Sequence, residues 1–171
     1  MGPVFLSLGS NLGNRIGYLQ SAVDEIGQLR DTSLKRVSRV YETEPVGVPA
    51  QPDFLNLALE IETGIRPMEL LSELKAIETK VGRIETFRLG PREIDIDIVY
   101  YGGEVVNEPT LSIPHIERER RAFVLVPMSE LASGFVDPAA GLTVRQLLER
   151  CPDRSRVEPY AYSVVLPRKE T

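Results

Sequence analysis

The sequence lacks the residues from which small proteins build covalent cross-links, since its 171 residues include a single cysteine, Cys151. One thiol can form neither an internal disulfide nor a cysteine-rich metal site, and it fits a reducing compartment. The chain also lacks a long apolar run, because Val4 to Leu6 is followed at once by Ser7 and Gly9. We therefore expect no signal peptide, no membrane association and a cytoplasmic location.

Positive charge is scarce as well, because 20 lysines and arginines face 25 aspartates and glutamates, which gives a net charge of −5. A nucleic acid or an anionic membrane surface would be repelled at long range. A phosphate ligand would therefore need a local cluster of arginines or a bridging cation. The apolar share of 42% is typical of a chain that folds alone. We expect one domain over residues 1–171, with residues 152–171 an irregular C-terminal extension, and no obligate protein partner.

Apolar spacing predicts strands and helices in alternation, with Asn14 able to cap the first helix and Pro67 and Gly82 at the ends of the second. The predicted strands cover residues 4–8, 34–41, 55–61, 94–99, 105–106 and 163–166. The predicted helices cover residues 14–26, 67–81, 118–132 and 143–150. Short strand connections occur beside helical ones, so we predict an α+β fold: a ferredoxin-like antiparallel sheet packed with helices in a single α/β sandwich domain.

The strongest local pattern is Asp95-Ile96-Asp97, because a strand places both carboxylates on one face. Their Cα atoms would lie about 6.6 Å apart, and at an effective dielectric of about 20 the two charges would repel each other by about 2.5 kcal/mol. A divalent cation would reverse the sign of that energy, and oxygen ligands suit Mg2+. The alternative is a solvated strand edge that carries aspartate, so the pattern alone leaves both interpretations open.

Basic residues lie on both sides of this strand. Arg83, Arg88 and Arg92 precede it, and a second group follows it, which consists of His115, Arg118, Arg120 and Arg121. Cationic side chains beside a cation site are typical of polyphosphate binding, although a solvated basic loop is the alternative. The segment from Gly9 to Gly13 lacks the Lys-Ser/Thr of a P-loop and predicts a tight turn.

The segment Gly90-Pro91-Arg92-Glu93-Ile94-Asp95-Ile96-Asp97 closely resembles the signature of the 6-hydroxymethyl-7,8-dihydropterin pyrophosphokinase family. The resemblance extends over nearly the whole chain and includes Gly9 to Gly13, Tyr41 to Thr43, Gln51 to Asn56, Gly82-Arg83, Pro114-His115 and Arg121 to Phe123. It implies an enzyme of folate synthesis that transfers pyrophosphate from magnesium-bound ATP to the hydroxymethyl group of 6-hydroxymethyl-7,8-dihydropterin and releases AMP.

The resemblance also implies a role for each matching residue. Asp95 and Asp97 would hold two Mg2+ ions that arrive with ATP, and Arg83 and Arg92 would act as catalytic cations around the polyphosphate. ATP would be contacted further by Glu78, Ile98, Ser112, His115 and Arg121. The pterin would lie between two aromatic rings, with an amide and a loop reading its polar edge; these residues are Phe54, Phe123, Asn56, Thr43 and Val46.

The chain departs from familiar members of that family at Lys75, Glu85, Leu89, Thr110 and Ile116. Leu89 replaces an aromatic residue, so a third ring over the substrates is absent. Thr110 and Lys75 alter fine contacts to the nucleotide, Glu85 alters the charge of the loop, and Ile116 replaces an aromatic neighbour of the histidine. Two rival functions remain open: a nucleotide-sensing module without turnover, and a magnesium-dependent phosphotransferase that uses another hydroxylated heterocycle.

Overall fold

A computed structural model describes residues 2–47, 50–83 and 90–168 of the chain. Its strands are β1 (Val4–Ser10), β2 (Thr32–Val37), β3 (Tyr41–Thr43), β4 (Phe54–Thr63), β5 (Asp95–Tyr101), β6 (Val106–Glu108), β7 (Leu111–Ile113) and β8 (Val157–Pro159). Its helices are α1 (Arg15–Gly27), α2 (Pro67–Val81), α3 (Ala122–Ala132) and α4 (Val144–Arg150), with a 3-10 turn at Arg118–Arg120.

The main sheet has the order β5-β1-β4-β3-β8, with β2 paired to the far half of β4. All of these neighbours are antiparallel. The unit β1-α1-β2-β4-α2-β5 therefore forms a sheet in the order β5-β1-β4-β2, which is the ferredoxin-like arrangement. The predicted α+β fold with an antiparallel sheet is confirmed.

Helices cover both faces of the sheet. On one face, α1 and α2 bury a core with the leucines of β1 and β4 and with Ile96 and Ile98 of β5. On the other face, α3 and α4 pack on Phe5, Ala58 and Tyr100. Asn14 caps α1 by accepting a hydrogen bond from the Gly17 N–H at 3.1 Å. The chain can leave α2 at Gly82 because glycine tolerates its φ of 130°.

Two predicted strands differ from those observed. Residues 34–41 form parts of β2 and β3 rather than one strand, because the Ser38 hydroxyl accepts a hydrogen bond from the Ala58 N–H and interrupts the pairing. The strand predicted at residues 105–106 is observed as β6, which starts only at Val106 and pairs with β7 through Ile113. The turn at Gly102 is bonded to the segment before β1, since the Gly102 N–H donates to the Pro3 carbonyl.

The predictions for the last third of the chain also need correction. The helix expected from residue 118 starts only at Ala122, because Arg121 has an extended backbone that separates the 3-10 turn from α3. Residues 163–166 form no strand: Val164 is buried and Val165 exposed, which mimics strand alternation, but the backbone of Val165 bonds to the Gln20 side chain. The strand of this region is β8, at residues 157–159. Among the described residues, no helix combines the length and the apolar character needed to span a bilayer.

Candidate active site

A row of residues crosses three strands on the face of the sheet that carries α3. Asp95 of β5 lies opposite Gly9 of β1, and Gly9 lies opposite Asn56 of β4. Asp95 and Asn56 are thus two strand spacings apart, about 9.6 Å. Gly9 has no side chain, so the surface between the carboxylate and the amide is open to a flat ligand.

The predicted site residues converge on a cavity over this row. Its lining includes all five residues assigned to the pterin, both predicted metal ligands and two arginines, together with Ser7, Gly9 and Glu44. The predicted members are Thr43, Val46, Phe54, Asn56, Phe123, Asp95, Asp97, Arg92 and Arg121. Residues that lie up to 80 positions apart in the sequence are therefore neighbours in the fold, as the resemblance implies.

Asp95 is held by two arginines in this structure. Arg92 donates to Asp95 Oδ2 at 2.7 Å, and Arg83 donates to Asp95 Oδ1 at 3.3 Å. Arg83 also donates to Glu78 Oε2 at 3.0 Å, and the same carboxylate oxygen accepts the Ile96 N–H at 2.8 Å. Burial raises the pKa of Glu78, while the Ile96 hydrogen bond opposes that shift. The buried Glu78 carboxylate thus anchors Arg83 against the start of β5.

Asp97 lines the cavity, and His115 lies beside it, outside the lining. Burial and then the Asp95 carboxylate raise the pKa of Asp97 to about 7, and Arg121 opposes this rise. Burial and Arg121 lower the pKa of His115, whose Nδ1 accepts the Glu117 N–H at 3.2 Å. A neutral His115 therefore carries its proton on Nε2, which lies 4.0 Å from Asp97 Oδ2. His115 can offer that N–H to an oxygen ligand at the carboxylate pair.

The other part of the cavity contains two aromatic rings and one amide whose orientation is fixed. Asn56 is buried and donates to the Thr43 hydroxyl at 2.6 Å, which fixes its side-chain orientation. Phe54 and Phe123 both line the cavity and are only partly buried. Arg121 lies over the Phe123 ring, 5.5 Å from its centroid. Arg121 therefore links the aromatic end of the cavity to the carboxylate end.

Some predicted site residues lie away from the cavity lining. Ile98 is 3% exposed and faces the core on the opposite side of β5 from Asp97. Ser112 lies on β7, paired with Asn107. Glu78, Arg83 and His115 contact β5 but do not line the cavity. The predicted positions Glu85, Arg88 and Leu89 lie outside the described residues.

Sequence reasoning missed the role of Asn11, which it assigned only to a tight turn. The buried Asn11 side chain accepts the Arg92 N–H at 2.7 Å and donates to Gln51 Oε1 at 3.1 Å and to the Pro52 carbonyl at 3.0 Å. It thereby ties the segment of Arg92 to the segment that leads into Phe54. The signal was an asparagine inside the Gly9 to Gly13 motif, a polar residue at the end of a buried strand.

The donor set at the carboxylate end fits a hard divalent cation. Asp95 and Asp97 project from one face of β5 toward the cavity, and both offer oxygen. The described residues contain no cluster of three or more His, Cys, Asp or Glu side chains arranged around one point. Two carboxylates with substrate oxygens and water are the coordination that Mg2+ favours.

Comparison with known proteins identifies relatives along most of the chain. The family model of 7,8-dihydro-6-hydroxymethylpterin-pyrophosphokinase (HPPK) matches residues 5–133. The 2-amino-4-hydroxy-6-hydroxymethyldihydropteridine pyrophosphokinase of Haemophilus influenzae is 37% identical over 154 residues, which covers 90% of this chain and 96% of that protein.

Other relatives are much longer than this chain. The folic acid synthesis protein fol1 of Pneumocystis carinii is 37% identical over 161 residues, which covers 93% of this chain but 22% of that protein. The crystal structure of Plasmodium falciparum HPPK-DHPS is similar with a TM-score of 0.69 and 17% identity, over 88% of this chain and 43% of that chain. At that identity the structural likeness supports the fold alone.

Proposed function

The chain belongs to the 7,8-dihydro-6-hydroxymethylpterin-pyrophosphokinase family and is an ATP-dependent pyrophosphokinase of folate synthesis, and we propose that it carries out this reaction in the cavity over Gly9. The observation that carries the proposal is the row Asp95, Gly9 and Asn56, which sets a phosphate-side carboxylate and a pterin-side amide on one open face. The chain binds two substrates, ATP and hydroxymethyldihydropterin.

The aromatic end of the cavity suits the pterin. A flat heterocycle over Gly9 would stack with Phe54 and Phe123, and Asn56 would read its polar edge because the bond to Thr43 fixes the amide. Val46 and the neighbouring backbone would cover the ring. The hydroxymethyl group would then point along the row toward the carboxylates.

The carboxylate end suits the polyphosphate of ATP. Asp95 and Asp97 would hold two Mg2+ ions, which supply charge neutralisation on the phosphate oxygens and so favour attack at phosphorus. Arg92 and Arg83 pair with Asp95 in this structure, and both would redirect toward the polyphosphate when it binds. Arg121 and the Nε2–H of His115 would add donors on the side facing Phe123.

The remaining residues assigned to ATP would act without lining the cavity. Glu78 would keep Arg83 beside β5, because its carboxylate holds both the guanidinium group and the Ile96 N–H. Ile98 would contact the nucleoside through its main chain, since its side chain is in the core. Ser112 on β7 would lie near the nucleoside. We propose that residues 1–171 form one catalytic domain.

The reaction follows from these positions. The pterin hydroxymethyl oxygen attacks the β-phosphorus, and its bond to phosphorus forms as the bond from the β-phosphorus to the bridging α-phosphate oxygen breaks. The hydroxyl proton passes to solvent water, and AMP leaves with the bridging oxygen. Arg83, Arg92 and Arg121 stabilise charge on the transferred and leaving oxygens. Holding both substrates along one row supplies the orientation.

Nucleotide product analysis tests the proposal. The protein is incubated with ATP, MgCl2 and 6-hydroxymethyl-7,8-dihydropterin, and the nucleotides are separated by chromatography. We expect AMP that forms only when the pterin is present. Pterin-dependent ADP would instead identify an ordinary kinase, and binding of ATP without any turnover would identify the nucleotide-sensing alternative.

A further inference from the structure

The segment that follows the region matched by the family model supports the pterin end of the cavity from outside. β8, at residues 157–159, pairs antiparallel with β3, and Val157 lies opposite Thr43. Thr43 is the residue whose hydroxyl accepts the hydrogen bond that orients Asn56. The family model ends at residue 133. A strand from beyond that limit therefore holds one of the strands on which the pocket is built.

Arg156, just before β8, bridges the two ends of the loop that borders the pocket. Its carbonyl accepts the Glu44 N–H at 3.3 Å, and its own N–H donates to the Glu44 carboxylate. Its guanidinium group forms an ion pair with Asp53, 103 residues earlier in the sequence. Glu44 directly follows Thr43, and Asp53 directly precedes Phe54. Arg156 thus connects the two residues at the ends of the loop between β3 and β4.

Charge makes this bridge more than a packing contact. The Asp53 carboxylate forms an ion pair with the guanidinium group, and the carboxylate of Glu158 lies 3.9 Å from Arg156 Nε, whereas the Glu44 carboxylate accepts the Arg156 backbone N–H. Without the guanidinium group, the carboxylates of Asp53 and Glu158 would lose their shared counter-charge at the rim, close to Glu44, which lines the cavity itself. Their repulsion would favour an opened rim around Thr43 and Phe54.

Arg15 forms a second support with the same segment. It donates to Glu42 at 2.9 Å and to the Asp53 carbonyl at 3.0 Å, and its guanidinium carbon lies 5.6 Å from the Tyr160 ring centroid. The Tyr160 N–H donates to the Val40 carbonyl at 2.8 Å. Residues after Cys151 therefore contact the chain just before β3, at Val40, and just after it, at Glu44, through separate hydrogen bonds.

We propose that Arg156 is a positioning residue for the pterin, and that the C-terminal segment with β8 is part of the pterin subsite. The inference rests on the proposed function of the cavity. The guanidinium group fixes Asp53, and the next residue, Phe54, is thereby held in place before the ligand arrives. Without the Arg156 side chain, the pterin must order Phe54 on binding, and that cost lowers its affinity. ATP binds at the other end of the row and is unaffected.

The test compares ligand affinities in Arg156→Ala with those of the wild type by calorimetry. We expect the dissociation constant of the pterin to rise by about tenfold, while that of magnesium-bound ATP changes by less than about twofold and turnover at saturating pterin is kept. Arg156→Lys should recover part of the affinity, because lysine keeps the charge but not the planar fork. Arg30→Ala is the matched control, since Arg30 forms an exposed ion pair with Glu69 away from the cavity.

A double-mutant cycle with Asp53→Asn separates positioning from general damage. If Arg156 acts through Asp53, the double variant loses no more pterin affinity than Arg156→Ala alone. Amide hydrogen exchange of residues 41–47 and 50–56 should also be faster in Arg156→Ala. Unchanged pterin affinity, or an equal loss for both ligands, overturns the inference while the wild type still forms AMP. A wild type that binds no pterin overturns the inference and the proposed function together.

Discussion

Gly9 lies directly opposite Asn56, and a Cβ atom at position 9 would come within 2.6 Å of Asn56 Oδ1 and 3.5 Å of the Phe54 ring. The absence of a side chain at Gly9 is therefore a condition for the observed position of the amide. The same absence leaves the floor of the cavity flat between Asn56 and Asp95.

Gly9→Ala should weaken pterin binding because the added methyl group displaces the Asn56 amide. We expect the pterin dissociation constant to rise by about tenfold or more, which corresponds to about 1.4 kcal/mol, with little change for magnesium-bound ATP. Gly103→Ala is the matched control, since a Cβ atom there meets no atom within 4 Å. Calorimetry with each ligand measures both affinities. Unchanged pterin affinity in Gly9→Ala would show that the pterin does not bind at this face of the sheet.

Phe123→Ala should likewise act on the pterin more than on ATP, since the ring lines the cavity and is proposed to stack on the pterin. The loss of stacking is expected to weaken the pterin by about 1 kcal/mol or more. A smaller effect on ATP follows because Arg121 loses the ring beneath it. Equal losses for the two ligands, measured by the same titrations, would show that the pterin and ATP ends are assigned wrongly.

Asp97→Asn should abolish turnover without unfolding the protein, because it removes a metal ligand and also the repulsion from Asp95. The pKa of Asp97 is raised by burial and Asp95 to about 7 in the folded chain, above the ordinary value of an aspartate. The folded state therefore binds the proton more tightly, and this contribution to stability is lost as pH rises from about 4 to about 7.

Urea denaturation in the absence of divalent cations measures that contribution. Relative to Asp97→Asn, the wild type should lose about 1 kcal/mol between pH 4 and pH 7, a small value because the Asp97 side chain is 37% exposed and screened by solvent. Mg2+ should reduce the difference at pH 7. A gain in the free energy of unfolding of the wild type relative to the variant over this range would contradict the prediction.

Asp137 is a heavily bonded carboxylate outside the cavity, and its loss should destabilise the fold. It is fully buried and accepts hydrogen bonds from Arg118, from the Tyr100 hydroxyl at 2.7 Å and from two backbone N–H groups. Burial would raise its pKa, but these donors, Arg118 first, lower it below the usual value. Its stabilising effect is therefore present above about pH 4 and lost as pH falls through the lowered pKa.

Asp137→Asn should lower the free energy of unfolding at pH 7 by about 3 to 5 kcal/mol, because Arg118 stays buried without its counter-charge. The control is Glu149→Gln, which breaks an exposed pair with Arg145 and should cost less than about 0.5 kcal/mol. Urea denaturation of both variants provides the values. A similar small loss for both would mean that the buried pair of Asp137 and Arg118 stabilises the fold no more than an exposed pair does.

The sequence allowed prediction where the pattern was local. Strand alternation placed Asp95 and Asp97 on one face and Ile96 and Ile98 on the other, and the structure confirms this. The contacts of Asn11 with Gln51 and of Arg156 with Asp53 span 40 and 103 residues, and no spacing rule connects such positions. The strand β8 escaped prediction because three residues that include a proline carry little alternation.

The central claim is that the pterin oxygen attacks the β-phosphorus, and the fate of labelled phosphate tests it most directly. The wild type and Asp97→Asn are each incubated with MgCl2, hydroxymethyldihydropterin and ATP radiolabelled at the β-phosphorus. We expect the wild type to transfer the label to the pterin product in a 1:1 ratio with AMP, and Asp97→Asn to transfer none. Label that stays in ADP while the pterin gains only the γ-phosphate would contradict the account.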